Sequence, residues 1–423
     1  MAIKRIVISN FKSFDTATIN LDKFNIIIGA NAAGKSNVIR VFEFLHNIVE
    51  FNLEDAISMQ GGLEYLVNAN IGSLRDFSLE ITTDARYVFD DIRFEKRKNI
   101  IFCATENKYG FSMKLSKGLN KYWIADDKLT IKGQFYVKER RAKGQLIGDA
   151  ELVITREKGK FDFNWISVPE EPLSNIKPNQ VFEFFMAVKS PRRNRLGANR
   201  LMLETVSFQY CAPEMYELLG NISIYDFDPK LTKRAQQISG LSTLEYDGSN
   251  LATIVGNILK NRSKTREFYN LLRDLLPPIE KIRIQPVANS VMLQIKEKYS
   301  PKQYFPGFLI SDGTINLTAL VIALYFEDNE IAVIEEPERN IHPYLISKLV
   351  AMMRDSSNKK QIITTTHNPE VVRHADPKEI LLITRSDSGY SEVIKPAEKE
   401  DVKAFLENDM GLEELYVQNL LNG

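Results

Sequence analysis

Cysteine and long apolar runs are both scarce in this sequence. The 423 residues include two cysteines, Cys103 and Cys211, which are too few for a disulfide framework and wrongly spaced for a metal cluster. A disulfide-stapled secreted domain is therefore excluded, and we expect two reduced thiols. No stretch of sequence has the apolar length of a membrane-spanning helix, and the first ten residues lack the apolar run of a signal peptide. We expect a cytoplasmic protein without a membrane segment.

An excess of charge of either sign is also absent. Lys+Arg and Asp+Glu both number 55, so the overall charge favours neither nucleic acid nor an acidic partner. A local basic patch can still lie within a neutral total. The composition, 44% hydrophobic and 26% charged, is that of an ordinary globular protein with a sizeable core. The length suits one large or two modest domains.

Strand and helix patterns alternate at both ends of the sequence, which favours an α/β fold with a mainly parallel sheet. Near the start, a strand over 24–28 precedes Gly29 and a helical spacing of apolar residues from Lys35 to about Val49. The middle differs, with an antiparallel β region over 76–166 and helices over 180–274. Other predicted strands are 3–9, 77–82, 100–104, 111–115, 129–137, 152–155, 281–287, 291–297, 331–334, 362–363 and 380–384, and the last third also has predicted helices over 314–325 and 343–354.

The loop after the strand over 24–28 matches the pattern G-x-x-x-x-G-K-[ST], as Gly29-Ala30-Asn31-Ala32-Ala33-Gly34-Lys35-Ser36. Small residues let backbone N–H groups close around phosphate oxygens, and the following helix directs its positive end at the anion. Lys35 is predicted to reach the β- and γ-phosphates of ATP, and Ser36 to ligate Mg²⁺. An ordinary glycine turn is the alternative, but the flanking strand and helix supply the confirming context. The predicted nucleotide-binding residues of this loop are Gly29, Asn31, Gly34, Lys35, Ser36 and Asn37.

Two acidic residues, Glu335 and Glu336, follow the apolar strand over 331–334. Adjacent like charges are costly unless a cation or a proton relieves them, and Mg²⁺ would do so. Glu335 is the predicted ion partner, directly or through water. Glu336 is the predicted general base that polarises the attacking water. Alone, two acids after a strand would more often belong to a solvated loop, and the phosphate loop is what favours the functional interpretation.

Three more positions are candidates, each with a structural alternative. His367 follows another apolar strand and is predicted to contact the γ-phosphate and the attacking water, although a lone histidine is usually structural or exposed. Ser311-Asp312-Gly313-Thr314 precedes a helix and has the chemistry of an anion-binding helix start, but on its own it is only a capped helix. Gln60, beside Gly61 and Gly62, either joins the Mg²⁺ shell or lies in a plain turn.

The order of these elements resembles the ABC ATPase superfamily, whose members include the SMC, RecF and OLD-type ATPases. More narrowly, the chain is similar to the bacterial "AAA family ATPase" group related to OLD proteins. The similarity covers both ends of the chain well, whereas about 76–230 matches only in general character. The matching segments are 6–14, 29–37, 247–251, 311–314, 335–338 and 341–343.

The resemblance implies an ABC-type ATPase head that pairs as a homodimer or higher homo-oligomer. Ser311 and Gly313 of one protomer would act on ATP bound at Lys35 of the other, and residues 338–343 would cross the interface. Many relatives have Asp where this chain has Glu335, so coordination would be looser and turnover slow. The implied parts are 1–75 and 279–423 (the two halves of the ATPase core), 76–170 (an antiparallel β lobe) and 171–278 (a helical insertion).

OLD proteins carry a C-terminal nuclease domain, which we do not expect within these residues. The resemblance therefore implies a separate effector, a nuclease or toxin, as in two-component anti-phage systems such as PARIS and Septu, with the PARIS ATPase subunit nearest in layout. A RecF- or SMC-like DNA-binding ATPase for repair or chromosome maintenance is the alternative, and a scaffold with structural nucleotide is a third. The basic stretch Lys189–Arg200 could bind nucleic acid, an acidic phage protein or an acidic subunit, or be a solvated loop.

Overall fold

The computed structural model describes residues 1–95, 98–138, 145–157, 159–169, 196–237, 240, 242–407, 410–418 and 420–422. The chain divides into two compact units, each assembled from separate stretches of sequence. The antiparallel unit comprises Met1–Asp22, Arg40–Asn221 and Arg385–Val393. The parallel unit comprises Lys23–Ile39, Ile222–Thr384 and Ile394–Gly423. The four consecutive parts named above stay a prediction.

The elements are numbered in chain order. The strands are β1 (Ile3–Phe11), β2 (Phe14–Asn20), β3 (Phe24–Ile28), β4 (Phe77–Asp84), β5 (Val88–Glu95), β6 (Lys98–Leu115), β7 (Tyr122–Lys138), β8 (Gln145–Glu157), β9 (Lys160–Ser167), β10 (Ile222–Tyr225), β11 (Gln236–Gln237), β12 (Ile279–Val287), β13 (Ser290–Glu297), β14 (Phe305–Pro306), β15 (Ile331–Glu335), β16 (Gln361–Thr365), β17 (Ile380–Arg385) and β18 (Ser391–Ile394). The α-helices are α1 (Lys35–Glu50), α2 (Leu53–Met59), α3 (Leu63–Leu66), α4 (Val206–Cys211), α5 (Pro213–Gly220), α6 (Pro229–Thr232), α7 (Leu251–Leu259), α8 (Arg262–Leu275), α9 (Asp312–Tyr325), α10 (Ile346–Ser356), α11 (Pro369–Arg373), α12 (Glu400–Glu407) and α13 (Leu412–Val417). Within the described residues, no helix is both long and apolar enough to cross a membrane.

The antiparallel unit is a sheet of order β2-β1-β4-β6-β7-β8-β9, with β5 beside β6. Buried and half-buried residues alternate along β4, so one face of the sheet packs and the other meets solvent. The sequence predicted separate strands over 100–104 and 111–115, which was wrong, because both belong to β6. The intervening polar residues looked like a turn, but Asn107 is buried and accepts a hydrogen bond from the Tyr87 hydroxyl at 2.8 Å.

The buried carboxyl group of Asp127 on β7 links β6 to the segment that begins at Met202. The Tyr109 hydroxyl donates to Asp127 Oδ1 at 2.9 Å, and the backbone N–H of Met202 donates to Oδ2 at 2.7 Å. Burial is the largest influence and raises the pKa of Asp127 to about 7, although both hydrogen bonds act to lower it. The folded protein therefore holds a proton at Asp127 over a pH range in which the unfolded chain has lost it.

This difference predicts that the antiparallel unit becomes less stable as pH rises from about 4 to about 7, with little further change above. The loss from this group is at most about 4–5 kcal/mol, since the pKa rises from 3.8 to about 7 and each pKa unit is worth about 1.4 kcal/mol. Asp127→Asn cannot titrate and should lack this decline. Denaturant unfolding at several pH values, followed by the fluorescence of Trp123 and Trp165, would measure it. Asp126→Asn, at the exposed neighbouring position, is the control and should keep the decline, slightly reduced, because the Asp126 charge is the weakest of the influences on the pKa of Asp127.

The parallel unit contains the sheet β10-β15-β16-β3-β17, in which each neighbouring pair is parallel. All five residues of β3 are buried, as expected for a strand covered on both faces. Helix α9 is buried continuously from Ile315 to Leu324. A small antiparallel sheet of order β11-β13-β12, with β14 beside β13, completes the unit. The predicted α/β class with a mainly parallel core sheet is confirmed.

The prediction of helices over 180–274 was wrong in part, because the described residues of this region also form two strands; 180–195 lie outside the described residues. Strand β10 pairs with β15 in the core sheet, and β11 pairs with β13. Both strands are short, so their sequences carry too few residues to show a period of two. Their partners lie far along the chain, and only the folded sheet selects the extended form.

Candidate active site

The loop after β3 turns the chain sharply into helix α1. Gly29 has φ +148°, and a Cβ there would lie 2.3 Å from the carbonyl oxygen of Ile383, so the position requires glycine. Ala32 and Gly34 also have positive φ values, 63° and 118°. Helix α1 begins at Lys35, directly after this turn. The strand, the loop and the helix therefore follow in the predicted order, with the helix N-terminus at the loop.

Lys35 is buried within the loop that precedes it. Its Nζ donates to the carbonyl oxygens of Gly29 at 2.8 Å and Ala30 at 3.1 Å. Burial lowers the pKa of Lys35, and the carboxylates of Glu336 and Glu338 oppose that shift without cancelling it. An ammonium group held among carbonyl dipoles at a helix start is placed to meet an anion there.

The carboxyl ends of β15 and β16 bring the predicted acidic residues to the same edge of the sheet as the loop. Glu335, the last residue of β15, is in register with Thr365 of β16. Ser36 Oγ donates to Glu335 Oε2 at 3.5 Å, although 299 residues separate them in sequence. The predicted pair of Mg²⁺ ligands is therefore brought together by the sheet.

Glu336 has a strained backbone, with φ +42° in the left-handed region. Its N–H donates to the carbonyl oxygen of Thr365 at 3.1 Å. A non-glycine residue in this conformation costs about 1–3 kcal/mol and persists where surrounding structure enforces it, often at functional sites.

The carboxylate of Glu336 lies between two nitrogen groups. The ring Nδ1 of His367 is 2.8 Å from Glu336 Oε1, and Arg339 Nη2 donates to Oε2 at 3.2 Å. Burial raises the pKa of Glu336, but the hydrogen bonds and charges of His367 and Arg339 outweigh it and the net pKa is lowered. The group is therefore ionised at neutral pH, as a proton acceptor must be.

The segment from Ser311 to Thr314 begins helix α9. Ser311 is the N-cap, and its Oγ accepts a hydrogen bond from the N–H of Thr314 at 3.2 Å. A Cβ on Gly313 would lie 2.5 Å from the carbonyl oxygen of Asn340, so the chain itself requires glycine here. The prediction explained Gly313 by the approach of an anion, and the structure adds this contact within the same chain.

The family model described as "AAA domain, putative AbiEii toxin, Type IV TA system" matches residues 24–373, most of the chain. The chain belongs to this AAA-domain family. No curated protein matches the sequence.

Solved structures similar to this AAA-domain protein include three SMC heads. The SmcHead bound to the C-winged helix domain of ScpA has 15% identity, a TM-score of 0.47, and coverage of 93% of this chain and 97% of that chain. An SMC head domain from Thermotoga maritima has 13% identity, a TM-score of 0.39, and coverage of 93% and 98%. An Smc head with an extended coiled coil, bound to the C-terminal domain of ScpA derived from Pyrococcus furiosus, has 13% identity, a TM-score of 0.44, and coverage of 96% and 99%.

Not every predicted site residue lies in the parallel unit of the AAA-domain protein. Gln60 belongs to the antiparallel unit, where it ends helix α2 and donates its amide to Glu43 Oε2 at 3.0 Å. Its Mg²⁺ role stays a prediction. Of the basic stretch, 189–195 lie outside the described residues, while Arg200 pairs with Glu204 at 3.2 Å.

Two residues near the site were not predicted from the sequence. Arg339 contacts Glu336 as described, and its Nη1 donates to Asp226 Oδ1 at 2.9 Å. Asp226 directly follows β10, the strand that the sequence pattern missed. Asp226 and Arg339 are 113 positions apart, and their contact could not be predicted without knowing that β10 belongs to the sheet.

Proposed function

We propose that this protein binds ATP with Mg²⁺ at the loop from Gly29 to Ser36 and hydrolyses the γ-phosphate. The observation that carries the proposal is that two contacts, Ser36 with Glu335 and Glu336 with His367, lie at the same edge of the parallel sheet. Ligands of α/β proteins bind at the carboxyl ends of such strands. Membership of an AAA-domain family supports the same function.

Each side chain has a role that follows from its chemistry. Lys35 and the loop N–H groups would bind the phosphates. The oxygens of Ser36 and Glu335 are hard donors that suit Mg²⁺, an ion that commonly takes one or two protein oxygens together with phosphates and waters. When bound, Mg²⁺ would neutralise charge on the phosphates. Glu336 would accept the proton of the attacking water. His367 would orient both Glu336 and this water. Because the side chain of Glu335 is longer than that of aspartate, Mg²⁺ would be held more loosely and turnover would be slow.

We further propose that each site is completed by Ser311 and Gly313 of a second copy of the chain. Exposed apolar side chains close to this segment in sequence, or close to residues 340 and 341 that lie against Gly313, support a protein partner. Phe308 and Leu309 are each 62% exposed, and Tyr344 is 74% exposed. Exposed apolar groups that form a contiguous patch mark interaction surfaces. The N-terminal end of α9 in one protomer would then meet the ATP held by its partner.

Mixing two inactive variants tests the composite site. Ser311→Arg should prevent the segment Ser311–Thr314 of one protomer (the lid) from closing over ATP. Lys35→Ala should abolish ATP binding at the phosphate loop of the other protomer. Each variant alone should be inactive. A mixed dimer retains one site in which an intact loop faces an intact Ser311, so ATP hydrolysis should return to about a quarter of the wild-type rate, because half of randomly paired dimers are mixed and each has one working site.

The control mixes Lys35→Ala with a variant carrying both changes, which leaves no intact site in any dimer. Co-purification of an untagged variant with a tagged one confirms that mixed dimers form. If the first mixture stays as inactive as this control although mixed dimers form, each chain uses its own residues alone and the composite site is wrong.

We propose that the ATPase serves a two-component anti-phage defence system and controls a separate nuclease or toxin, with the ATPase subunit of PARIS as the nearest type. The family description, which names a toxin and a Type IV toxin–antitoxin system, supports this class of function. A neighbouring gene for such an effector would favour it.

The basic stretch Lys189–Arg200 favours the alternative, a RecF- or SMC-like DNA-binding ATPase. ATP-dependent DNA binding that charge reversal at Arg192, Arg193 and Arg195 removes would favour that alternative.

A further inference from the structure

We propose that Arg339 is a positioning residue that fixes the carboxylate of Glu336 and links it to the start of helix α9. The inference rests on the proposed ATPase function, which assigns Glu336 its chemistry. Arg339 itself would touch neither nucleotide nor water. Its effect would pass through the groups that it holds.

The guanidinium group of Arg339 joins the ends of two neighbouring strands. Its Nη2 donates to Glu336 Oε2 at 3.2 Å, and its Nη1 donates to Asp226 Oδ1 at 2.9 Å. Asp226 follows β10 and Glu336 follows β15, and these strands are paired in parallel. The planar fork of an arginine can hold two carboxylates at once in a fixed geometry, which a lysine ammonium cannot do.

These ion pairs are partly open to solvent, since the Arg339 side chain is 43% exposed and that of Glu336 is 25% exposed. Exposed pairs add little to the stability of a fold. Their importance for the protein would therefore lie in orientation. The contacts of the Glu336 carboxylate with Arg339 and His367 fix its orientation above a backbone in a strained conformation.

The backbone of the same residue contacts helix α9. The carbonyl oxygen of Arg339 accepts a hydrogen bond from Asn316 Nδ2 at 2.8 Å, and Asn316 is buried. The next carbonyl, that of Asn340, occupies the space where Gly313 would carry a Cβ. Residues 339 and 340 are thus packed directly against the segment that is proposed to cover the partner's ATP.

Packed backbone transmits small displacements because protein interiors have little free volume. A shift of α9, when Ser311 closes on the partner's ATP, would move the carbonyl of Arg339 and, through its guanidinium, the carboxylate of Glu336. The two sites of a dimer would then be coupled. The lid of one protomer, which covers the partner's ATP, would shift the Glu336 carboxylate in its own protomer's site.

The first test separates binding from turnover. Arg339→Ala should lower kcat about 10- to 30-fold, while KM and the dissociation constant of ATP change less than about 3-fold. Arg339→Lys should recover only part of the loss, because an ammonium is a point charge without the planar fork that fixes both carboxylates. The matched control is Arg373→Ala, an exposed arginine of α11 that pairs with Glu370 and Glu413 and should keep the wild-type kcat. The unfolding midpoint should stay within about 2 °C in every variant.

The second test needs no hydrolysis. Hydrogen exchange of the backbone amides over 312–318 should quicken at least about 5-fold in Arg339→Ala and in Asn316→Ala, but not in Arg373→Ala. If the wild type does not hydrolyse ATP but exchange still quickens in Arg339→Ala and Asn316→Ala, the proposed function is wrong and the link between Arg339 and α9 stands. A wild type that hydrolyses ATP, with kcat and exchange both unchanged in Arg339→Ala, would overturn the role of Arg339.

Discussion

Lys35→Ala is expected to weaken ATP binding about 100-fold, equivalent to about 2.7 kcal/mol, and to reduce hydrolysis to background. The side chain is buried at the start of α1, and its ammonium is the positive group held by the loop carbonyls of Gly29 and Ala30. Alanine removes that charge and leaves the phosphates without a cationic donor. Equilibrium binding of a fluorescent ATP analogue and release of inorganic phosphate would measure both effects.

Lys359→Ala is the matched control, because this lysine is exposed and lies beyond the end of α10. It should bind and hydrolyse ATP as the wild type does. Circular dichroism should show that both variants remain folded. If a folded Lys35→Ala protein hydrolyses ATP at the wild-type rate, the loop from Gly29 to Ser36 is not the phosphate site.

Glu336→Gln should keep ATP binding within about 3-fold of the wild type and slow hydrolysis about 10²- to 10³-fold, as expected for loss of a general base. Glutamine keeps the length of the side chain and can still accept a hydrogen bond from Arg339, so the loop should stay in place. It cannot accept the proton of the attacking water. Binding of labelled ATP and single-turnover hydrolysis would separate the two effects.

Glu370→Gln, at a carboxylate that pairs with Arg373 on α11, is the control and should leave both measurements unchanged. Loss of ATP binding in Glu336→Gln would instead assign this residue a structural or metal-binding role. Unchanged hydrolysis would assign the general base to another residue, with Glu338, two positions along the chain, as a candidate. Glu338 is buried against Thr366, and burial raises its pKa despite that hydrogen bond.

Local sequence patterns were sufficient where one short segment fixes its own conformation. The buried run of β3, the glycines at 29 and 34 and the apolar spacing of α1 predicted the strand, loop and helix in order. The acidic pair Glu335-Glu336 was predicted to bind Mg²⁺ beyond the end of the strand over 331–334; the structure places Ser36 Oγ beside Glu335, and the Mg²⁺ role stays a prediction. Strand β10 escaped prediction because four residues show no clear period.

The α/β class, the phosphate-loop motif and the acidic pair Glu335-Glu336 could be predicted from local patterns, since each depends on neighbouring residues. The folded chain was needed to show that Arg339 joins Asp226 to Glu336, and that the backbone of Asn340 leaves no room for a side chain at position 313. These contacts join segments that are distant in the chain, and their geometry exists only once β10 and β15 are paired and α9 is packed. No local pattern carries that information, because long-range contacts depend on the folded arrangement of the whole sheet.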